Sequence, residues 1–151
     1  MNIIEQLVDI YYRHEWWHKN KMEPATAFRY HTKLYNQGNV QCHEEMGVLL
    51  GYYEVWFINE KQLGNIVIGR RFTADSEDIT SGDIAYLANC WIDPNFRRGR
   101  VFKDLYLRFM EQTRKCRVYA GETAKRKFKL NIFKRRQVWA AKNKVLLGQQ
   151  L

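Results

Sequence analysis

The chain has 151 residues, 46% hydrophobic and 15% aromatic, enough to bury a core of its own and too apolar for a disordered tail. It holds no run of about eighteen apolar residues, which excludes a membrane-spanning helix. Its three cysteines, Cys42, Cys90 and Cys116, are too scattered for a disulfide framework or a thiolate metal cluster, and its net charge of +9 argues for an anionic partner or ligand.

Taken in chain order, Ile3 to about Lys19 reads as a helix, because Ile4, Leu7, Val8 and Tyr11 recur three and four apart. Glu23-Pro24-Ala25-Thr26 suits the first turn of a second helix, which should run to about Tyr35 and stop at Asn36-Gln37-Gly38. Val40–Cys42 and Val48–Ile58 are β-rich, with Glu44-Glu45-Met46-Gly47 as the turn between them. Asn65–Ile68 reads as another short strand, and Thr73–Gly82 as a polar loop. Ile84–Ile92 (IAYLANCWI) is a nearly continuous apolar run, expected of a central buried strand.

Asp93-Pro94-Asn95-Phe96 must turn, since proline cannot continue a ladder. Val101 to about Thr113 is helical, Val118-Tyr119-Ala120 a short strand, Thr123–Phe133 a basic helix, and Gln137–Ala141 a last strand. There is no internal repeat or linker, so residues 1–151 are expected to form a single domain. Met1-Asn2-Ile3-Ile4-Glu5 lacks the basic start and apolar block of a secretory signal, so a cytoplasmic location is expected.

The informative segment is Ile84–Met110: a buried strand, a proline turn, a positive loop and an amphipathic helix. Amides at a helix N-terminus, backed by its dipole, make a site for phosphate, and Arg97, Arg98 and Arg100 add charged donors around it. This segment resembles the GNAT superfamily of N-acyltransferases. There a central strand ends in valine-x-proline and is followed by R-x-x-G-x-G/A, whose amides hold the pyrophosphate of acetyl-coenzyme A. Ile92-Asp93-Pro94 matches the strand end, Asn95-Phe96-Arg97 the approach to the loop, Arg97 the motif arginine and Leu105 the leucine of the helix. The two motif glycines fall on Arg100 and Phe102, with Gly99 out of register. A side chain at Arg100 can still point away and leave its amide available.

The resemblance implies an α/β fold, with a mixed, mostly antiparallel central sheet flanked by helices and two helices at the N-terminus. It implies acetyl-coenzyme A or another acyl-coenzyme A as cofactor, and direct acyl transfer to an amine-bearing acceptor. Coenzyme binding would fall on Cys90, Trp91, Ile92, Arg97, Arg98, Gly99, Arg100, Val101 and Phe102. A splayed strand at Asn89–Ile92 would offer an amide to polarise the thioester carbonyl. Tyr86 stands where relatives often carry a glutamate base, so the base would be water, Glu54 or another residue. Phe128 stands where many relatives carry a tyrosine acid, and Tyr119 is the substitute. For Tyr86, Glu54 and Tyr119 alike, ordinary packing is the competing reading.

Two further patterns compete. His14-Glu15-Trp16-Trp17-His18 matches H-E-x-x-H, the zinc metalloprotease helix, but only thirteen residues precede it and Pro24 stands where a third histidine would fall, so no metal is expected. The charge is also uneven. Residues 1–60 hold eight acids against five Lys or Arg, so the other 91 residues carry +12, and Arg114–Lys144 sets twelve basic residues against the single acid Glu122. With Phe128, Phe133 and Trp139 interleaved, that face suits nucleic acid, the reading for a GNAT-like protein without catalysis.

Overall fold

The computed structural model describes residues 1–13, 22–68, 74–122 and 130–134. The order is α1 (Ile3–Arg13), α2 (Pro24–Gln37), β1 (Val40–Glu45), β2 (Val48–Ile58), α3 (Glu60–Val67), β3 (Ile84–Ile92), a 3₁₀ turn at Pro94–Phe96, α4 (Arg100–Gln112), β4 (Val118–Glu122) and β5 (Leu130–Lys134). The strands form one five-stranded sheet in the order β1-β2-β3-β4-β5. Neighbours are antiparallel except β3 and β4, which run parallel and are joined through α4. The fold is thus α/β, a mixed sheet flanked by helices. No helix among the described residues is long and apolar enough to cross a membrane.

Two cores follow from strand alternation. On one face, Tyr53, Val55, Leu87, Cys90, Ile92 and Tyr119 pack under Val101, Leu105 and Phe109 of α4. On the other, Leu49, Tyr52, Ile58, Ile84 and Tyr86 pack under α1 and α2. Leu7 and Ile10 carry the buried stripe of α1, and Ala27, His31 and Leu34 that of α2. His31 is buried, with its Nδ1 hydrogen-bonded to Ala27 O at 2.7 Å, one turn back. Helix α2 ends where expected, on Gly38 at φ 86°, with the Asn39 N–H donating to Leu34 O at 3.0 Å.

Strand β1 is longer than Val40–Cys42, since Glu44 and Glu45 pair with Leu49 and Val48 and leave only Met46-Gly47 as the turn. Both turn residues have positive φ, 53° and 80°, the hand that matches strand twist. Gln6 of α1 clips this hairpin, donating to Gly47 O and accepting from Leu49 N–H, each at 2.8 Å.

Two expectations fail. Asn65–Ile68 is not a strand: residues 60–67 are α3, started by a reciprocal capping box between Asn59 and Gln62. The β-branched run Ile66-Val67-Ile68 suggests a strand, but Leu63 and Ile66, three apart, pack against the α1/α2-side core. The basic helix at Thr123–Phe133 is also wrong at its C-terminal end, because Leu130–Lys134 is β5, paired antiparallel with β4 from Val118↔Lys134 to Glu122↔Leu130. Leu130-Asn131-Ile132 alternates in a way a strand also accepts, and the free edge of β4 supplies the partner. Residues 123–129 and the strand expected at Gln137–Ala141 lie outside the described residues.

Candidate active site

The parallel ladder between β3 and β4 is short. It runs from Ile84↔Val118 to Leu87↔Gly121, and there it stops. Gly121 lets the backbones close up at that point, since a Cβ would lie 3.3 Å from Leu87 O. Beyond it, Ala88–Ile92 pair only with β2 among the described residues. The cause is local. Glu54 pairs with Asn89 and Val55 with Leu87, so Ala88 is an extra residue, a bulge that re-aims the far half of β3. Because Asp93 N–H donates to Leu50 O (2.8 Å), the alternation of the antiparallel ladder turns the Cys90 and Ile92 amides away from β2, toward the open side. Asn89 Oδ1 accepts from the Cys90 N–H at 3.0 Å, and Arg97 Nε donates to Ile92 O at 3.2 Å.

The open strand leads into the N-terminus of α4. Asp93 holds the 3₁₀ turn by accepting from the Asn95 N–H at 2.9 Å. Gly99 then precedes α4, and no side chain caps its first turn. A Cβ at Gly99 would meet nothing within 4 Å. The space before the first-turn amides is therefore open among the described residues, as an anion site requires. Val101 is fully buried and fixes the turn from below, while Phe102 stacks on Tyr106 with ring centroids 5.9 Å apart.

The arginines divide. The Arg100 side chain swings away from its amide, reaching Glu45 through Nε (2.9 Å) and Nη2 (2.6 Å) and lying 5.2 Å over the Phe96 ring. Arg98 is exposed, and no described residue pairs with it.

Glu45 belongs to a network that the sequence did not announce. His43 sits between two carboxylates, Nδ1 2.7 Å from Asp104 Oδ2 and Nε2 2.8 Å from Glu45 Oε2, and Arg108 pairs with Asp104 at 2.7 Å. These residues lie on β1 and α4, so the network ties the hairpin edge to α4. Burial opposes charging His43, but the hydrogen bonds to Glu45 and then Asp104 outweigh it and its pKa is raised. Arg100 first, then His43, hold Glu45 down at about 2. Asp104 is lowered against its own burial by His43 and Arg108.

The sign follows by linkage. The His43 contribution is fully present below its ordinary value of 6.5 and is lost as pH rises through the raised folded value. The Glu45 contribution is present above its ordinary 4.5 and is lost as pH falls toward about 2. The resistance of wild type to urea should therefore fall as pH rises above the ordinary histidine value of 6.5, and His43→Gln should remove most of that slope. An unchanged slope in the variant would show that the histidine stays neutral.

Of the expected catalytic residues, Glu54 and Tyr86 come together and Tyr119 does not. Glu54 is only 4% exposed on the α1/α2 face, where Tyr30 Oη and Trp56 Nε1 both donate to its Oε2 at 2.7 Å. Trp56 stacks on Tyr86 at 5.2 Å and 20°. Burial, then the Glu54 charge, push the Tyr30 hydroxyl well up, so it remains a donor. Tyr119 lies on the opposite face under α4, its hydroxyl donating to Thr113 O at 2.7 Å. That bond to the end of α4 is a structural role.

The sequence matches no family model, and no curated protein is similar to it.

Among the described residues no group of three His, Cys, Asp or Glu could hold a metal ion. His14 to His18 lie outside the described residues, as does most of the basic stretch Arg114–Lys144. Within its described part, Arg117 pairs with Asp83 and Glu60, and Arg114 with Glu111 at 3.5 Å. Of the other expected contact residues, Cys90, Ile92 and Val101 are buried. Trp91 is half-buried, its ring centroid 6.4 Å from that of Tyr52.

Proposed function

We propose that the protein is a GNAT-type N-acyltransferase that uses an acyl-coenzyme A on an amine acceptor. One arrangement carries this reading: parallel strands β3 and β4, their ladder running to Leu87 and Gly121, with β3 continuing to a helix N-terminus that no described side chain caps and open space at Gly99. In α/β sheets ligands collect at the carboxyl ends of parallel strands, where the order of connections leaves a crevice. The residues present fit such a coenzyme. The first-turn amides of α4 and Arg98, with which no described residue pairs, suit its diphosphate, and the side of Ala88–Ile92 turned away from β2 offers hydrogen bonds to an extended amide chain. Acyl-coenzyme A would supply the activated thioester.

The chain's own groups then divide the remaining tasks. Because Asn89 already occupies the Cys90 amide, the Ile92 amide is the open-side donor left to polarise a carbonyl. Glu54, facing the other side of the sheet beside Tyr86, is the candidate to receive the proton of the acceptor amine. The diversion of Arg100 to Glu45 explains how a bulky residue occupies a glycine position without covering its own amide.

Isothermal titration with acetyl-coenzyme A tests the reading. Wild type should bind saturably, and Arg98→Ala should weaken binding about tenfold, the effect of losing one charge-assisted contact of about 1.5 kcal/mol. Absence of saturable heat at millimolar coenzyme ends the proposal.

A further inference from the structure

The β1–β2 turn carries a residue that its local structure does not explain. Met46 takes the left-handed conformation at φ 53°, where glycine, asparagine and aspartate are favoured and a bulky apolar residue is uncommon. It is also the most exposed large hydrophobic residue among those described, at 102%. The turn thus gives up backbone ease and places an apolar side chain in water, with no packing in return among the described residues. A groove of about 590 Å³ begins at the next residue, Gly47. Ile10 of α1, Val48 and Leu49 of β2, and Trp91 and Pro94 at the end of β3 give it apolar walls. Its size suits a guest the size of a side chain or larger.

We infer that this face is a self-complementary surface on which a second copy of the chain docks about a two-fold axis, Met46 of each protomer entering the groove of its partner. An isologous contact requires one patch that both gives and receives, and here the apolar knob and the groove lie side by side. Methionine suits the part, since its unbranched side chain adapts to an irregular space. Val48, 54% exposed on the rim of the groove, extends the apolar contact around the knob.

The charges select a copy of the same chain as the occupant. Asp9 and Arg13 both line the groove, one turn apart on α1 and paired at 3.0 Å. A two-fold axis perpendicular to α1 runs the helix antiparallel to its copy, so Asp9 meets the partner's Arg13 and Arg13 meets the partner's Asp9. The wider field agrees. Residues 1–60, which supply most of the groove, hold eight acids against five Lys or Arg, whereas the other 91 residues carry +12 and would repel a copy of themselves. The docking does not depend on the transferase reading.

Sedimentation equilibrium of the full chain tests it. Between about 5 and 200 µM the average mass should rise from one chain toward two, as mass action requires of a modest interface. Met46→Asn should raise the dissociation constant at least tenfold and keep the hairpin, because asparagine accepts the left-handed conformation that Met46 adopts. Asp9→Arg and Arg13→Asp should each dimerise less tightly than wild type, yet pair with each other when mixed. A wild-type mass that stays at one chain or climbs past two overturns the inference. So does a Met46→Asn variant that dimerises as tightly as wild type, or a mixture of the two charge variants that associates no better than either alone. The wild-type series decides even if a variant does not fold.

Discussion

Gly82→Ala is expected to lower the unfolding free energy by about 3 kcal/mol or more and the melting temperature by about 10 °C. A Cβ at this position would lie 2.1 Å from both the carbonyl carbon and the oxygen of Ile58, and 2.5 Å from its Cα. These are backbone atoms of a central strand, so no rotamer change relieves the contact, unlike the usual overpacking of a core. The loop must lift instead. Lifting it breaks the Gly82 N–H bond to Phe57 O (3.1 Å) and the Phe57 N–H bond to Ile79 O (2.8 Å). It also takes Ile79 O from the Asn39 amide at 3.0 Å and uncovers Ile58 and Ile79, both at most 2% exposed. Thermal and urea unfolding measure the loss. A melting temperature within about 2 °C of wild type would mean that the loop is not seated on β2 in solution.

Leu105→Ala should cost about 3 kcal/mol and, through α4, weaken the proposed coenzyme binding. Leu105 is 2% exposed, and its Cδ1 approaches the bare face of Gly51, 3.0 Å from where a Cβ would stand. Gly51 in turn lies close to Ile92 Cγ1 and Trp91 O, each 3.1 Å from the same point. Helix α4 is thus seated on a notch in β2 directly beside the end of β3. Truncating Leu105 empties that notch, and Gly51→Ala overfills it, at about 1–3 kcal/mol. The two residues share one space, so the double variant should be less unstable than the sum of the singles by at least about 0.5 kcal/mol. Strict additivity in a double-mutant cycle would show that α4 does not sit in the notch.

Both effects bear on the proposed activity because the proposed site is built on β3 and the first turn of α4. The first-turn amides of α4 are placed by Val101 and Leu105 below, and by the Arg100–Glu45 and His43–Asp104 pairs at the side. Substitutions that leave the stability of the sheet intact but break the lateral pairs should therefore act on affinity more than on unfolding. Exposed pairs of this kind contribute little to stability.

Much of this was legible in the sequence. Strands β2 and β3 fall on the expected ranges, Val48–Ile58 and Ile84–Ile92, because buried strands write apolar and β-branched runs that few other elements tolerate. Helix α4 begins and ends within a residue of expectation, because Val101, Leu105 and Phe109 recur at helical spacing. The freedom of the Arg100 amide was also legible as a possibility, since any residue can turn its side chain away from its own N–H.

What the sequence determined by itself was the alternation of elements, the two helix stripes and the sharp stop at Asp93-Pro94, all set by neighbours within a few positions. Tertiary structure alone decided the rest. The bulge at Ala88, the parallel pairing of β3 with β4, and the meetings of His43 with Asp104 and of Tyr30 with Glu54 join residues 24 to 61 positions apart. So did the strand at Leu130–Lys134, since an edge needs a partner and local propensity cannot say which segment provides it. Periodicity reports the face a residue shows, whereas pairing across a sheet depends on which strands come to lie side by side.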